Sequence, residues 1–236
     1  MAKGSLKAPL VSAFVGPVAF LVLLVGFSAW FVRGGPPSDP QEVAEWVTGK
    51  MGLILLLVQV VLATTAFWLW RSGAVATTLR QPAWPWPRAV VIGVLFGAGL
   101  FAAYALGIER QLVALQASLG DYVSSGAIVD RISRPLSLFF LANCVMAPVA
   151  EEVIYRGHVL PRLAERWGSW PALLLSAGLF GGLHWAGGFW YMAATALLVG
   201  LPLGLLFLRS GMLALPLAAH LTLNLLEFGM AFGRHG

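Results

Sequence analysis

Charge is scarce in this chain: Asp, Glu, Lys and Arg make up 11% of 236 residues, against about 25% in a soluble domain. With 59% hydrophobic residues, the chain lacks the polar surface that keeps a domain in water, which excludes the soluble enzyme and soluble adaptor classes. Cysteine is almost absent. The single Cys144 excludes an intrachain disulfide, and no CxxC pair is present for a metal site; inside an apolar run it reads as a small buried apolar residue. A basic stripe is also missing. The 15 Lys and Arg are spread through the loops, so the net charge of +5 speaks for anchoring and orientation in a bilayer, not for nucleic acid. There is no HExxH zinc motif, no internal repeat, no low-complexity tract and no lipidation box.

What the chain has in place of charge is a series of apolar runs of about 20 residues, the length of a membrane-crossing helix. Backbone groups in hydrocarbon must be satisfied internally, so runs of this length imply helices, not a barrel. The fold class expected is all-α, a polytopic helical membrane protein with seven spans near 11–32, 51–70, 88–107, 135–155, 170–185, 189–208 and 211–231. The first run exceeds the apolar core of a signal peptide, about 7–15 residues, and reads as a retained span. The third follows Gln81-Pro-Ala-Trp-Pro-Trp-Pro87, which cannot be helical and whose tryptophans suit the water–lipid boundary. The fifth is short and is divided from the sixth by Gly187-Gly188.

Loop charges set the expected orientation. Lys3, Lys7, Arg71, Arg80, Arg88, Arg162, Arg166 and Arg209 fall on one side with one acid, Glu165. The other side mixes Arg33, Lys50, Arg110, Arg131, Arg134 and Arg234 with six acids. The basic bias puts the N-terminus in the cytoplasm. Between spans three and four, Ile108, Leu112, Leu115 and Leu119 recur at helical spacing, which predicts an amphipathic surface helix, a connector or a gate.

Three elements carry polar residues into these runs, where a charge costs roughly 2.5–3.5 kcal/mol at a helix centre. The first is Glu151-Glu152-Val-Ile-Tyr-Arg156. Residues four apart share a helix face, so Glu152 faces Arg156 and Glu151 faces Tyr155. Adjacent carboxylates in a low dielectric resist ionising together; with Arg156 neutralising one, the other suits a general base. The second is Phe180-Gly-Gly-Leu-His184, whose glycines permit close helix approach. The third is His220-Leu-Thr-Leu-Asn224, on one face of a segment whose other ionisable residue is Glu227. Each has an ordinary structural explanation when taken singly: a helix end emerging into water, a histidine bonded to a carbonyl, a polar contact joining helices. Their depths argue for more. Counted at 1.5 Å per residue from the cytoplasmic boundary, His220 lies about 12 Å in and His184 about 20 Å. Glu151 lies at most about 22 Å from Arg166, an upper bound because Gly157 and Pro161 are expected to end that helix early. All three can meet near the middle of a core about 30 Å thick.

The elements resemble those of the CPBP family, the CAAX-protease and bacteriocin-processing intramembrane endopeptidases, which includes the type II CAAX prenyl endopeptidase. The family pattern is EExxxR, FxxxH, then HxxxN or HxxxD, and here it stands as Glu151-Glu152-xxx-Arg156, Phe180-xxx-His184 and His220-xxx-Asn224. The resemblance covers roughly 138–226. It implies a peptide-bond hydrolase working within the membrane on a membrane-associated protein or peptide. Glu151 would activate water with help from His184, His220 and Asn224 would face the oxyanion, and Glu152 and Arg156 would form a supporting ion pair beside Phe180. It also implies residues 131–236 as a catalytic helical core and 1–130 as variable N-terminal spans, all in one structural unit. The chain is shorter than the eukaryotic enzyme, so the resemblance is to bacterial members in the cytoplasmic membrane; sorting-type relatives that remove C-terminal membrane tails are an equally good comparison. No cofactor is expected. The alternative is zinc held by Glu151, His184 and His220. Two non-protease readings stay open beside it: a proton-coupled carrier, since buried Glu and His also form proton relays, and a non-catalytic binding or immunity protein.

Overall fold

The computed structural model describes residues 6–35, 39–79, 84–112, 114 and 136–233. Its helices are α1 Lys7–Arg33, α2 Pro40–Gly49, α3 Met51–Arg71, α4 Trp86–Leu112, α5 Leu136–Trp167, α6 Ser169–Leu183, α7 Phe189–Ser210 and α8 Ala214–Gly233. Among the described residues the regular structure is helical, apart from an isolated bridge between Thr78 and Met212. Six helices, all but α2 and α6, are long and apolar enough to cross a membrane. Their outward faces carry exposed apolar residues, such as Val18, Val22 and Val25 on α1, Phe67 on α3 and Leu95 on α4. That is the arrangement of a chain whose solvent is lipid, and the protein is an integral membrane protein. The amphipathic segment expected over 108–119 lies largely outside the described residues.

The fifth expected span, α6, is short, as its sequence suggests: it has 15 residues and reaches about 22 Å, against a core about 30 Å thick. It ends at Leu183 and the chain turns through His184 and Gly188, at φ +88°, into α7. One expectation needs correction, the length of α5. Gly157 and Pro161 do not end it; the helix continues to Trp167.

The reason lies in how prolines are accommodated. Pro161 has no N–H to bond the carbonyl four residues back, the cost that ordinarily breaks a helix. Here that carbonyl, on Gly157, accepts the Ala76 N–H at 2.7 Å from the loop after α3. A Cβ at Gly157 would collide with Val75, so the glycine that reads as a helix breaker is what lets the repairing loop approach. The helix also widens to a π-helical stretch over Glu152–Val159. The same pairing recurs at Leu141–Met146 before Pro148 and at Ala196–Gly200 before Pro202. Such widenings relieve the proline clash and leave carbonyls without their usual helical donors.

Those freed carbonyls are spent on tertiary contacts. Pro17 in α1 strips the Ala13 carbonyl of its donor, and the Tyr155 hydroxyl donates to it at 2.8 Å. The π-helical register over 141–146 would bond the Asn143 carbonyl to the N–H of residue 148, which is proline; the Asn224 amide donates to it at 2.7 Å instead. Elsewhere small residues allow close approach. Gly93 and Gly97 of α4 lie against Leu215, Ala218 and Ala219 of α8 with no room for a Cβ, as expected where packing rather than hydrophobicity joins helices. Tyr155, Leu160, Leu163, Leu173, Phe180 and Phe207 make a shared core between α5, α6 and α7.

Candidate active site

The polar residues singled out from the sequence converge around the middle of α5. Glu151 and Glu152 are 3% and 0% exposed and Arg156 is 1% exposed. These values rule out a helix end emerging into water and put the pair inside the bundle. Glu152 Oε1 accepts from Arg156 Nη1 at 2.9 Å and from His220 Nδ1 at 2.8 Å. Arg156 is held from a second direction by α7, with Nη2 donating to the Gly200 carbonyl at 3.1 Å and the Val199 carbonyl at 3.5 Å. Its guanidinium lies 4.3 Å from the Phe180 ring centroid, within the range of a cation–π contact. The π-helical stretch of α7 thus supplies the carbonyls that a buried arginine requires.

Phe180 sits at the centre of the group. Its ring packs edge-on to Tyr155 and to His220, at 5.4 and 5.9 Å between centroids, and tilted against His184 at 5.2 Å. It therefore touches both histidines as well as the guanidinium of Arg156. Of the two glycines after it, Gly181 makes the close helix approach, against Met192 and Ala196 of α7, while a Cβ at Gly182 would meet nothing.

The hydrogen bonds assign the histidine tautomers. A carbonyl only accepts, so the contact of His184 Nδ1 with the Phe180 carbonyl at 3.0 Å requires Nδ1–H, which leaves Nε2 of the neutral ring as a lone pair. The Glu152 carboxylate likewise takes Nδ1–H from His220 and aims His220 Nε2 at Glu151 Oε2, 4.0 Å away. A carboxylate holding a histidine by its rear nitrogen fixes which nitrogen does the work.

A cavity of about 360 Å³ opens on this cluster, within the range that small ligands and peptide side chains occupy. Glu151, Phe180, His184, His220 and Asn224 line it, and Glu152 and Arg156 do not. The two adjacent glutamates therefore differ in position: one faces the cavity and the other is sealed behind it against arginine. Most of the wall is apolar, including Phe20 of α1, Met51, Leu55 and Val58 of α3, and Leu100 of α4.

The structure adds wall residues that the sequence reading did not assign. Asn143 contributes its carbonyl to Asn224, and Glu227 lies one turn beyond Asn224 on α8; both line the cavity. Glu227 stood out in the sequence only as the second ionisable residue of its segment. Gln59 of α3 also lines it, a lone amide in an apolar run that by itself reads as ordinary helix contact. Glu151 and Tyr155 do share a face, but the Tyr155 hydroxyl is committed to the Ala13 carbonyl. Cys144 is buried, as expected, with its thiol 3.6 Å from the Asn224 carbonyl.

A zinc ion needs three or four donors around one point. Among the described residues, no three His, Cys, Asp or Glu side chains form a group that could hold a metal ion. In this arrangement Glu151, His184 and His220 do not fit a zinc set.

Comparison with known proteins bears on the C-terminal half. Residues 133–226 match the family described as Type II CAAX prenyl endopeptidase Rce1-like. No curated protein and no solved structure matches the chain. The matched region begins just before α5 and ends within α8, and α1 to α4 lie outside it. Residues 133–226, which carry Glu151, Glu152, Arg156, Phe180, His184, His220 and Asn224, thus match an Rce1-like type II CAAX prenyl endopeptidase domain.

Proposed function

We propose that this protein is an intramembrane endopeptidase that hydrolyses a peptide bond of a membrane-associated protein or peptide with water activated by Glu151. The Rce1-like match supports a CAAX-type intramembrane protease in general. The observation that carries the finer reading is the split between the two glutamates, Glu151 on the cavity wall and Glu152 behind it on Arg156 and His220.

In this mechanism a water sits between Glu151, His184 Nε2 and the scissile carbonyl. Glu151 takes a proton from it as the water oxygen bonds to the carbonyl carbon. The carbonyl electron pair moves to oxygen, and the resulting oxyanion faces the Asn224 amide and, when protonated, His220 Nε2. Both are fixed before the reaction, His220 by Glu152 and Asn224 by the Asn143 carbonyl, which is the condition under which such donors stabilise a transition state most. Collapse reforms the carbonyl, breaks the C–N bond and passes the proton from Glu151 to the leaving amine. Glu152 and Arg156 support the site from behind without touching substrate, and Phe180 packs against both histidines from the cavity wall. No metal enters any step. The protein belongs, on this reading, to a bacterial cytoplasmic membrane with its N-terminus in the cytoplasm, as the loop charges favour.

The test is comparative membrane proteomics of strains carrying the parent protein or Glu151→Ala at equal abundance. Uncleaved precursors should accumulate with Glu151→Ala and be absent with the parent. Identical membrane proteomes, together with equal cleavage by the two purified proteins, would sink the reading.

A further inference from the structure

The cavity is lined by two carboxylates, Glu151 and Glu227, and by no Lys or Arg. The mechanism uses Glu151 and leaves Glu227 without a task. Glu227 belongs to the stripe of α8 that faces the reaction: His220, Asn224 and Glu227 recur at positions i, i+4 and i+7, and all three line the cavity. The ion pairs among the described residues join Arg156 to Glu152, Arg162 to Glu165, and His220 to Glu151 and Glu152; Glu227 enters none of them. Nor is it one of the unpartnered groups sealed inside the protein, which are Gln59 Oε1, Glu152 Oε2 and His158 Nε2. It is part-exposed on the cavity wall, about 20 Å along α8 from Ala214. An ionisable group at such depth is retained against a cost. The α5 segment packed on this stretch adds a second acceptor. The Asn224 amide on the Asn143 carbonyl and the Phe140 ring 5.1 Å from that of Phe228 bracket Glu227. Asn143 lines the cavity too, and with Nδ2 donated to the Phe139 carbonyl at 3.2 Å its other side-chain polar atom, Oδ1, is an acceptor.

We propose that Glu227 is a specificity-determining residue whose carboxylate takes a lysine or arginine side chain of the substrate, from a position beside the scissile bond. The inference rests on the endopeptidase reading and names the substrate class of the same site. A wall that offers acceptors and a negative charge, with no basic residue of its own, is complemented by a group that brings donors and a positive charge. A long basic side chain supplies both, and its methylene stem suits the apolar surface around Glu227, where Phe139 and Phe228 also line the cavity. An acidic side chain would be repelled there. The spacing sets the position. Asn224 and Glu227 are about 4.5 Å apart along the helix axis, and an extended peptide advances about 3.3 Å per residue. With the scissile carbonyl on Asn224, the basic residue falls within two residues of the cleaved bond.

The experiment uses full-length protein in proteoliposomes and internally quenched apolar peptides that carry one Lys, norleucine or Glu at each position in turn. Cleavage is read as kcat/KM, with the cut located by mass spectrometry. Binding is read separately on Glu151→Gln protein, which need not cleave to hold a peptide. At one position within two residues of the cut, the parent should prefer Lys to norleucine by about 10- to 100-fold, the worth of one hydrogen bond between charged groups, and should disfavour Glu. Glu227→Gln should bring the Lys-to-norleucine ratio close to one, and Glu227→Lys should turn the preference toward Glu. A parent that cleaves without preferring Lys, or a preference that survives in Glu227→Gln, overturns the inference and leaves the endopeptidase reading standing. If the parent cleaves no peptide, that reading fails and binding decides the subsite. Lys peptides held at least about tenfold tighter than norleucine peptides, with the difference lost when Glu227→Gln is added, support it. Equal binding of the two overturns it.

Discussion

Adjacent glutamates offer a direct test of how the site is built, because the same isosteric change should have opposite consequences at neighbouring positions. Glu152 is fully buried, with one oxygen taking 2.9 and 2.8 Å contacts from Arg156 and His220. Glu152→Gln leaves the Arg156 charge without its counter-ion in a place water does not reach. Removing one partner of a buried pair costs about 3–5 kcal/mol. At about 2–4 °C of Tm per kcal/mol for a chain of this size, the transition should fall by roughly 6–20 °C. Glu151 has no such pair: its charged neighbour is His220, whose Nε2 lies 4.0 Å from Oε2. Glu151→Gln should therefore move stability by no more than about 1 kcal/mol, the scale of one hydrogen bond, while lowering kcat by at least about 100-fold as the general base is lost. The assay is thermal unfolding in detergent followed by the fluorescence of the 10 tryptophans, run beside peptide cleavage. Equal Tm losses in the two variants would refute the division of roles, as would a Glu151→Gln enzyme that retains parental kcat.

Three further outcomes follow from the same geometry. Asn224→Ala removes an oriented amide from the cavity wall and should lower kcat by about 100- to 1,000-fold in a single-turnover cleavage assay, the range for losing one oxyanion donor. Tyr155→Phe leaves the Ala13 carbonyl, already deprived of a helical donor by Pro17, without its 2.8 Å partner; a denaturant titration should show a loss of about 1–3 kcal/mol, with cleavage at the parental rate in whatever fraction stays folded. Dialysis against a strong chelator should leave cleavage intact and elemental analysis should find less than one equivalent of zinc per chain; activity lost with chelator and restored by zinc would mean that Glu151, His184 and His220 rearrange to hold a metal.

Much of the architecture was readable in one dimension because lipid imposes a local rule. Each stretch must be apolar over about 20 residues to cross, so the positions of α1, α3, α4, α7 and α8 follow from composition window by window. The length of α5 does not. Gly157 and Pro161 are helix breakers by any local rule, and they fail to break this helix because Ala76, some 80 positions earlier in the chain, donates to the carbonyl that Pro161 leaves bare. The site divides the same way. Glu151, Glu152, His184, His220 and Asn224 could be picked out because polar residues are conspicuous against apolar sequence, and their helical spacing predicted which pairs share a face.

What the sequence determined by itself, then, is the class of molecule and the cast of the site: a helical membrane protein, with three polar elements at compatible depth and in an order that resembles a known protease family. Only the tertiary structure decided which glutamate opens on the cavity and which is closed behind it, since their positions differ by one residue and only the packing of α7 and α8 separates their surroundings. It also decided which histidine nitrogen faces the cavity, because that depends on acceptors at Phe180 and Glu152 that only the fold brings within reach. Gln59 shows the limit most plainly. In the sequence it is one amide among leucines and valines, and it acquires meaning only where α3 carries it to the wall of the cavity that Glu151 also lines. Burial, hydrogen-bond direction and cavity access are properties of neighbours, and neighbours distant along the chain are set by folding alone.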